Sequence, residues 1–167
     1  MYDLMLSNIL FMRHGQAALY ADQDHQRSLT QEGLKEVRKT GEGLVKILSE
    51  IKPSHLLILV SDARRTQQTW GELKMMMDDV DIAQHSVMVL STLYLASSDR
   101  IYNVILEALT CDESKTTLLL IGHNPGCSNF VNHLVGAHLS LQTAQLVHLA
   151  QREDSRRWML CSQALPK

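Results

Sequence analysis

Residues 9–12, Ile-Leu-Phe-Met, form an unbroken apolar run with no polar alternation. A run this short reads as a strand buried on both faces, which requires cover above and below the sheet that contains it. Three further runs share the pattern: 56–60 (Leu-Leu-Ile-Leu-Val), 87–90 (Val-Met-Val-Leu) and 117–121 (Thr-Leu-Leu-Leu-Ile). The segments between them carry helical periodicity. Strands alternating with amphipathic helices imply an α/β three-layer sandwich, mainly parallel, with right-handed crossovers.

The helices can be placed from their signals. Thr30 is an expected N-cap, with Gln31 and Glu32 in the first turn and Leu34, Val37, Leu44, Val45 and Leu48 at helical spacing. Gly41 and Gly43 each cost about 1 kcal/mol against Ala in a helix interior, so close packing on the sheet is expected there. Pro53 ends the helix. A second helix runs from just after Ser61 and Asp62 to about Met77, with Thr69, Leu73, Met76 and Met77 on its apolar face; the methionines at 75–77 read as core filler. Asp78, Asp79 and Asp81 read as a solvated turn. Ser97 or Ser98 caps a third helix carrying Ile101, Val104, Ile105 and Leu109. Asn124 caps a fourth, with Pro125 in its first position and Phe130, Val131, Leu134 and Val135 on its stripe. Residues 144–149 and 157–161 flank a polar turn and read as a pair of antiparallel edge strands.

Nothing in the chain of 167 residues suggests a repeat or linker, so one domain over 1–167 is expected. A formal net charge of -2 gives no bulk attraction for nucleic acid or an anionic membrane, so any anion site must be local. No apolar run approaches the ~20 residues of a membrane span, and Met1-Tyr2-Asp3 lacks a basic secretory start. A cytoplasmic location is the expectation. Cys111, Cys127 and Cys161 are widely spaced and form no Cys-x-x-Cys, which favours reduced structural thiols. No His-Glu-x-x-His or tight His/Asp cluster occurs among the 8 histidines, so neither a metal nor a cofactor is expected.

Three of the strands end in reactive chemistry. The first delivers Arg13-His14-Gly15, the second Ser61 with Arg64 and Arg65 just inside a helix, and the fourth Gly122-His123. Each alone has an ordinary reading: surface chemistry for Arg13-His14, a solvated ion pair for Arg64 or Arg65, a turn histidine for His123. Together, at the carboxyl edge where open parallel sheets bind ligands, they would make a site for a compact dianion such as a phosphoryl group.

Arg13-His14-Gly15, then Ser61-x-x-x-Arg65-x-x-Gln68-Thr69, then Gly122-His123-Asn124-Pro125-Gly126 resemble the histidine phosphatase (phosphoglycerate-mutase-like) superfamily. Asp24-x-x-Arg27-x-Leu29-Thr30-x-x-Gly33, Leu93-Tyr94 with Ala96 and Ser97, and the full Gly-His-Asn-Pro-Gly resemble its small SixA-type phosphohistidine phosphatase branch. The resemblance covers residues 8 to about 158. It implies a metal-independent phosphatase in which His14 attacks phosphorus, with its second ring nitrogen fixed by a backbone carbonyl. Arg13 and Arg65 would disfavour protonation of His14. Arg13, Arg65 and His123, the last as a donor, would hold the phosphoryl oxygens, with Asn124 and Gln16 as further candidate contacts.

Two departures from the family pattern stand out. Asp62 follows the serine where many relatives carry proline, and Arg64 is the cation expected to offset it. The segment 91–95, Ser-Thr-Leu-Tyr-Leu, lacks the glutamate that larger members use as a general acid, and Gln16 cannot protonate a leaving group. Asp22, Asp24 and Asp99 are the remaining candidate acids. A poor leaving group needs an acid, typically worth 10²–10⁴-fold, whereas a phosphoramidate can lose neutral imidazole once its nitrogen is protonated, as it readily is from solvent. Phosphohistidine in a partner protein is therefore the expected substrate. A phosphatase for small phosphate esters and a catalytically silent phosphate-binding module are the alternatives. Oligomeric state cannot be read from the sequence.

Overall fold

The computed structural model describes residues 4, 6–78, 80–109, 116–152, 154–155 and 157–166. Six strands form one sheet: β1 (Asn8–Arg13), β2 (His55–Ser61), β3 (His85–Leu90), β4 (Thr116–Gly122), β5 (Leu146–Gln151) and β6 (Trp158–Ala164). Their order across the sheet is β3-β2-β4-β1-β5-β6. The pairs β3·β2, β2·β4 and β4·β1 are parallel, whereas β5 runs antiparallel to both β1 and β6. Among the described residues, four α-helices cover the sheet: α1 (Gln31–Ile51), α2 (Arg64–Met77), α3 (Ser98–Ala108) and α4 (Gly126–Val135).

The parity of strand side chains builds the two outer layers. Leu10 and Met12 of β1, Ile58 and Val60 of β2, and Leu119 and Ile121 of β4 pack with Val37, Leu44 and Leu48 of α1 and with Leu73 and Met77 of α2. The alternate residues Ile9, Phe11, Leu57, Leu59, Leu118 and Leu120 pack with Ile101, Val104 and Ile105 of α3 and with Phe130 and Val131 of α4. Both faces of the central strands are consumed, which is why their sequences show no alternation. The α/β layered architecture with a mainly parallel sheet is as expected.

Several local expectations need correction. The strand β5 is not an edge strand: it lies between β1 and β6 because β1 has a free side opposite β4, and its residues 146–149 are buried accordingly. Among the described residues, β6 and β3 are the edges. The strand β3 begins at His85, and it exposes Val87, Met88 and Val89 because the helix layers reach it poorly. Gly41 faces α2 rather than the sheet, where an added Cβ would press on Met76 and Leu73, whereas Gly43 packs on the sheet as expected, against Ala164 of β6. Met75 is 62% exposed and fills no core, while Met77 is buried.

Helix ends follow their caps, with two shifts. The Thr30 hydroxyl accepts from Gly33 N–H, and the Ser97 hydroxyl accepts from Arg100 N–H. Helix α1 ends at Lys52 in the left-handed region (φ 44°), directly before Pro53. Helix α3 stops at Ala108, leaving Leu109 as its C-cap. Pro125, not Asn124, is the cap residue of α4; the Asn124 side chain still reaches in, accepting from Ser128 N–H at 3.3 Å and from the Ser128 hydroxyl at 2.8 Å.

Cys127 is buried and Cys161 exposed, both as free thiols; Cys111 and Asp79 lie outside the described residues. Among the described residues, no group of three or more His, Cys, Asp or Glu side chains could hold a metal ion, and no helix is long and apolar enough to cross a membrane.

Phe11 and Phe130 stack across the sheet–α4 interface with ring centroids 5.0 Å apart, both fully buried. Truncating Phe130 to Ala should destabilise the fold by about 3–5 kcal/mol. A urea titration should show this as a lowered midpoint at unchanged slope, whereas Leu19→Ala, at a site 79% exposed, should leave the midpoint in place.

Candidate active site

Strand register places the three reactive ends in one row. Arg13 of β1 is paired with Gly122 of β4, and Ile121 of β4 with Val60 of β2. The next residues out are therefore His14 and His123, with Ser61 level with Gly122, and α2 begins two residues after Asp62 to deliver Arg65. A cavity of about 240 Å³ opens there, lined by Arg13, His14, Asp24, Arg27, Arg65, Leu95, His123 and Asn124.

His14 is buried, and its Nδ1–H donates to the Gly15 carbonyl oxygen at 2.8 Å. A carbonyl can only accept, so the proton sits on Nδ1 and Nε2 carries a lone pair. Arg65 Nε–H points at that Nε2 from 3.2 Å. The main chain is held tightly around this ring. Gly15 N–H donates to Thr69 Oγ1 at 3.1 Å, and a Cβ on Gly15 would strike Val37 and the Gly33 carbonyl. A Cβ on Gly33 would in turn collide with the Gln16 carbonyl, so the Arg-His-Gly turn and the start of α1 approach backbone to backbone.

Arg65 is 2% exposed, and every nitrogen of its guanidinium is engaged. Besides Nε on His14, Nη1 donates to the Asp24 carbonyl (2.7 Å), and Nη2 donates to Asp24 Oδ2 (3.0 Å) and His123 Nδ1 (3.4 Å). With Nδ1 accepting, the neutral His123 ring carries its proton on Nε2 and donates to Ser61 Oγ at 2.8 Å. The donating nitrogen therefore faces Ser61 and not the cavity, which differs from the sequence expectation. The two imidazoles stand edge to face, centroids 5.2 Å apart.

Burial is the main reason both rings resist protonation: His14 is pushed down to about 4 and His123 to about 3. For His14, nearby Arg65, Arg13 and Arg27 add to desolvation while the Gly15 bond opposes it; for His123, His14 and Arg65 add. The arginines anticipated as the cause are thus secondary to burial.

Asp24 is not an available acid. Its carboxylate takes the Tyr94 hydroxyl at 2.6 Å, Arg65 Nη2 at 3.0 Å and Arg27 Nη1 at 2.7 Å, and these bonds hold it down at about 2, Tyr94 foremost. Asp22 and Asp99 do not line the cavity. Asp62 lies 2.9 Å from His25 Nε2, so its neighbour is a histidine and not Arg64 as expected.

Two expected phosphate contacts are otherwise occupied. Gln16 is exposed, outside the cavity lining, and its side-chain oxygen accepts from the Thr30 hydroxyl at 2.7 Å. Asn124 lines the cavity, but its Nδ2 donates to the Leu141 carbonyl at 2.8 Å. Arg13 Nη1 donates to the same carbonyl at 2.9 Å, and its buried Nε has no protein partner. Residue 141 carries no sequence signal for this, because the acceptor is main chain. Tyr94, which secures Asp24, was legible only as part of the family resemblance.

No protein-family model matches the sequence. An uncharacterized chloroplastic protein of Arabidopsis thaliana is 31% identical over 144 residues, which cover 81% of this chain. That alignment spans 62% of the relative, so the chain matches less than two thirds of its length. Among solved structures, the protein histidine phosphatase SixA complexed with tungstate is similar at 27% identity and TM-score 0.74, covering 95% of this chain and 97% of that one. A SixA-type structure from Agrobacterium tumefaciens shares the fold at 23% identity and TM-score 0.76, over 96% and 99% of the two chains. A mycobacterial glucosyl-3-phosphoglycerate phosphatase shares it more distantly, at 15% identity and TM-score 0.61, over 92% and 96%.

The depressed histidines tie stability to pH. An unfolded imidazole titrates near 6.5, so on acidification the unfolded chain binds protons that folded His14 and His123 refuse. The stability they contribute is complete above about pH 6.5 and is lost as pH falls from there toward 4. Melting temperature should decline from pH 7 to pH 5, and the slope should be shallower in the double substitution His14→Asn/His123→Asn. Part of the slope should persist, since buried His148 is also shifted down. An unchanged slope would contradict this assignment.

Proposed function

We propose that this chain, a SixA-type member of the histidine phosphatase superfamily, is a phosphatase that works through a phosphohistidine intermediate on His14. The observation that carries the reading is the state of His14. Its Nδ1 is fixed by the Gly15 carbonyl, and its unprotonated Nε2 points into a cavity walled by guanidinium groups. A phosphoryl dianion entering this cavity would replace His14 as the partner of Arg65 Nε and find the unpartnered Nε of Arg13. Its negative charge would also reverse the cationic field on His123, so that His123 can take a proton at Nδ1 and donate to the third oxygen. Charge spread over three equatorial oxygens in a loose transition state is matched by these three groups. The protein cations do this without calling on a metal ion.

His14 Nε2 attacks phosphorus in line, the leaving group departs with its electron pair, and water then hydrolyses the phosphoenzyme. The nature of the leaving group follows from the ionised state of Asp24. No neutral carboxyl lines the cavity to protonate an alkoxide, which favours a phosphoramidate: its imidazole leaves neutral once the ring is protonated, a proton that solvent can supply. We therefore read the substrate as phosphohistidine in a partner protein, with small phosphate esters as the second reading.

Labelling with a phosphorylated histidine protein should yield an alkali-stable, acid-labile phosphoenzyme that is absent in His14→Ala. Turnover of phosphohistidine should exceed that of alkyl monoesters and survive a chelator. A panel in which alkyl monoesters react faster would overturn the substrate assignment, and phosphate binding without turnover would reduce the chain to a binding module.

A further inference from the structure

Beside the phosphate cavity lies a larger one of about 370 Å³, lined by His25, Gln26, Asp62, Arg64, Gln67 and Gln68. The two linings have no residue in common but alternate along the chain. Asp24 and Arg65 face the first, while their chain neighbours His25 and Arg64 face the second. Most of the second cavity's amides are already committed to the fold. Gln67 Nε2 donates to the Asp62 carbonyl at 2.6 Å, and Gln68 Oε1 accepts from Leu29 N–H at 2.7 Å.

His25 and the Asp62 carboxylate are placed differently. His25 Nε2 lies 2.9 Å from Asp62 Oδ1, each side chain being 30% exposed. The approach is short but poorly aligned, so Oδ1 is buried with no hydrogen-bond donor. Catalytic hydrogen bonds are often misaligned before substrate arrives and tighten with it. The His25 ring also stands edge-on to Tyr94 at 4.9 Å, and Tyr94 to His123 at 5.5 Å, so His25 lies one ring away from His123, outside the lining of the phosphate cavity itself. A carboxylate that orients one nitrogen of an imidazole leaves the other free to move a proton.

We propose that the second cavity receives the leaving group and that His25, oriented by Asp62, donates the proton the leaving atom needs. The inference rests on His14 being the nucleophile. In the first step the His14 Nε2–P bond forms while the P–N or P–O bond of the substrate breaks. The electron pair stays on the leaving nitrogen or oxygen, which takes a proton from the His25 imidazolium and departs neutral. In the second step water attacks phosphorus, His14 leaves with the electron pair of the P–N bond, and the water's proton returns to His25. The titratable and charged groups around His25 are Asp62 and Arg64 on the α2 side, Asp24 on its own turn, and Tyr94 and His123 across the rim. Asp62 is a positioning residue in this scheme, acting through His25.

The test is leaving-group dependence, read as the ratio of kcat/KM for an alkyl phosphate to that for a nitrophenyl phosphate, whose phenolate needs little protonation. His25→Gln should lower this ratio ~10²-fold, the range of a lost general acid. Asp62→Asn should lower it less, and turnover of a phosphohistidine protein at pH 8 should fall in both. A ratio unchanged in His25→Gln overturns the proposal, whether no activity is lost or all substrates lose alike through a displaced Asp24. Phosphoenzyme formed from the nitrophenyl ester by wild type and by His25→Gln, and absent in His14→Ala, confines that failure to His25. No phosphoenzyme in wild type overturns the nucleophile and the proton donor together.

Discussion

The geometry of the site depends on one buried cation. Arg65 enters from the first turn of α2 and reaches, with a single planar guanidinium, the nucleophile candidate just after β1, the histidine just after β4 and Asp24 farther along the chain from β1. Such a charge is tolerable in an apolar interior only if its nitrogens are engaged and a counterion lies close. Asp24 supplies that counterion from a loop that is otherwise exposed, and Tyr94 and Arg27 keep it ionised. The planar fork also explains why lysine could not serve: a point charge cannot bond His14, Asp24 and His123 at fixed angles.

The layered fold was largely legible because it rests on periodicity. Residues 9–12, 56–60 and 117–121 had no alternation to offer, and a strand in that state must have helices on both sides. Where the reading slipped, the missing information was tertiary. Residues 144–149 look the same whether their outer neighbour is solvent or β6. Gly41 declares a close approach but not its partner, which proved to be a helix and not the sheet.

The site was legible to a similar depth. Histidines and arginines at strand ends announce themselves, and parallel register then brings them into one row. What those residues do before a ligand arrives could not be read. Gln16 and Asn124 are polar and adjacent to the motifs, yet one bonds Thr30 and the other a distant main-chain carbonyl. Asp24 looked like a spare acid, and only the convergence of Tyr94, Arg65 and Arg27 on it shows that it is a fixed anion. His25 and Asp62 come from loops 37 residues apart, and nothing in either neighbourhood points to the other.

The Leu141 carbonyl has a consequence of another kind. Its side chain is sealed in the core beside α4, while its oxygen receives both Arg13 and Asn124. Because the acceptor belongs to the main chain, residue 141 is free to become any apolar residue that fills the same volume. A column of aligned sequences would score the position as interchangeable packing and pass over its second face. Two polar side chains of the site nevertheless take their orientation from an atom that no codon change can remove.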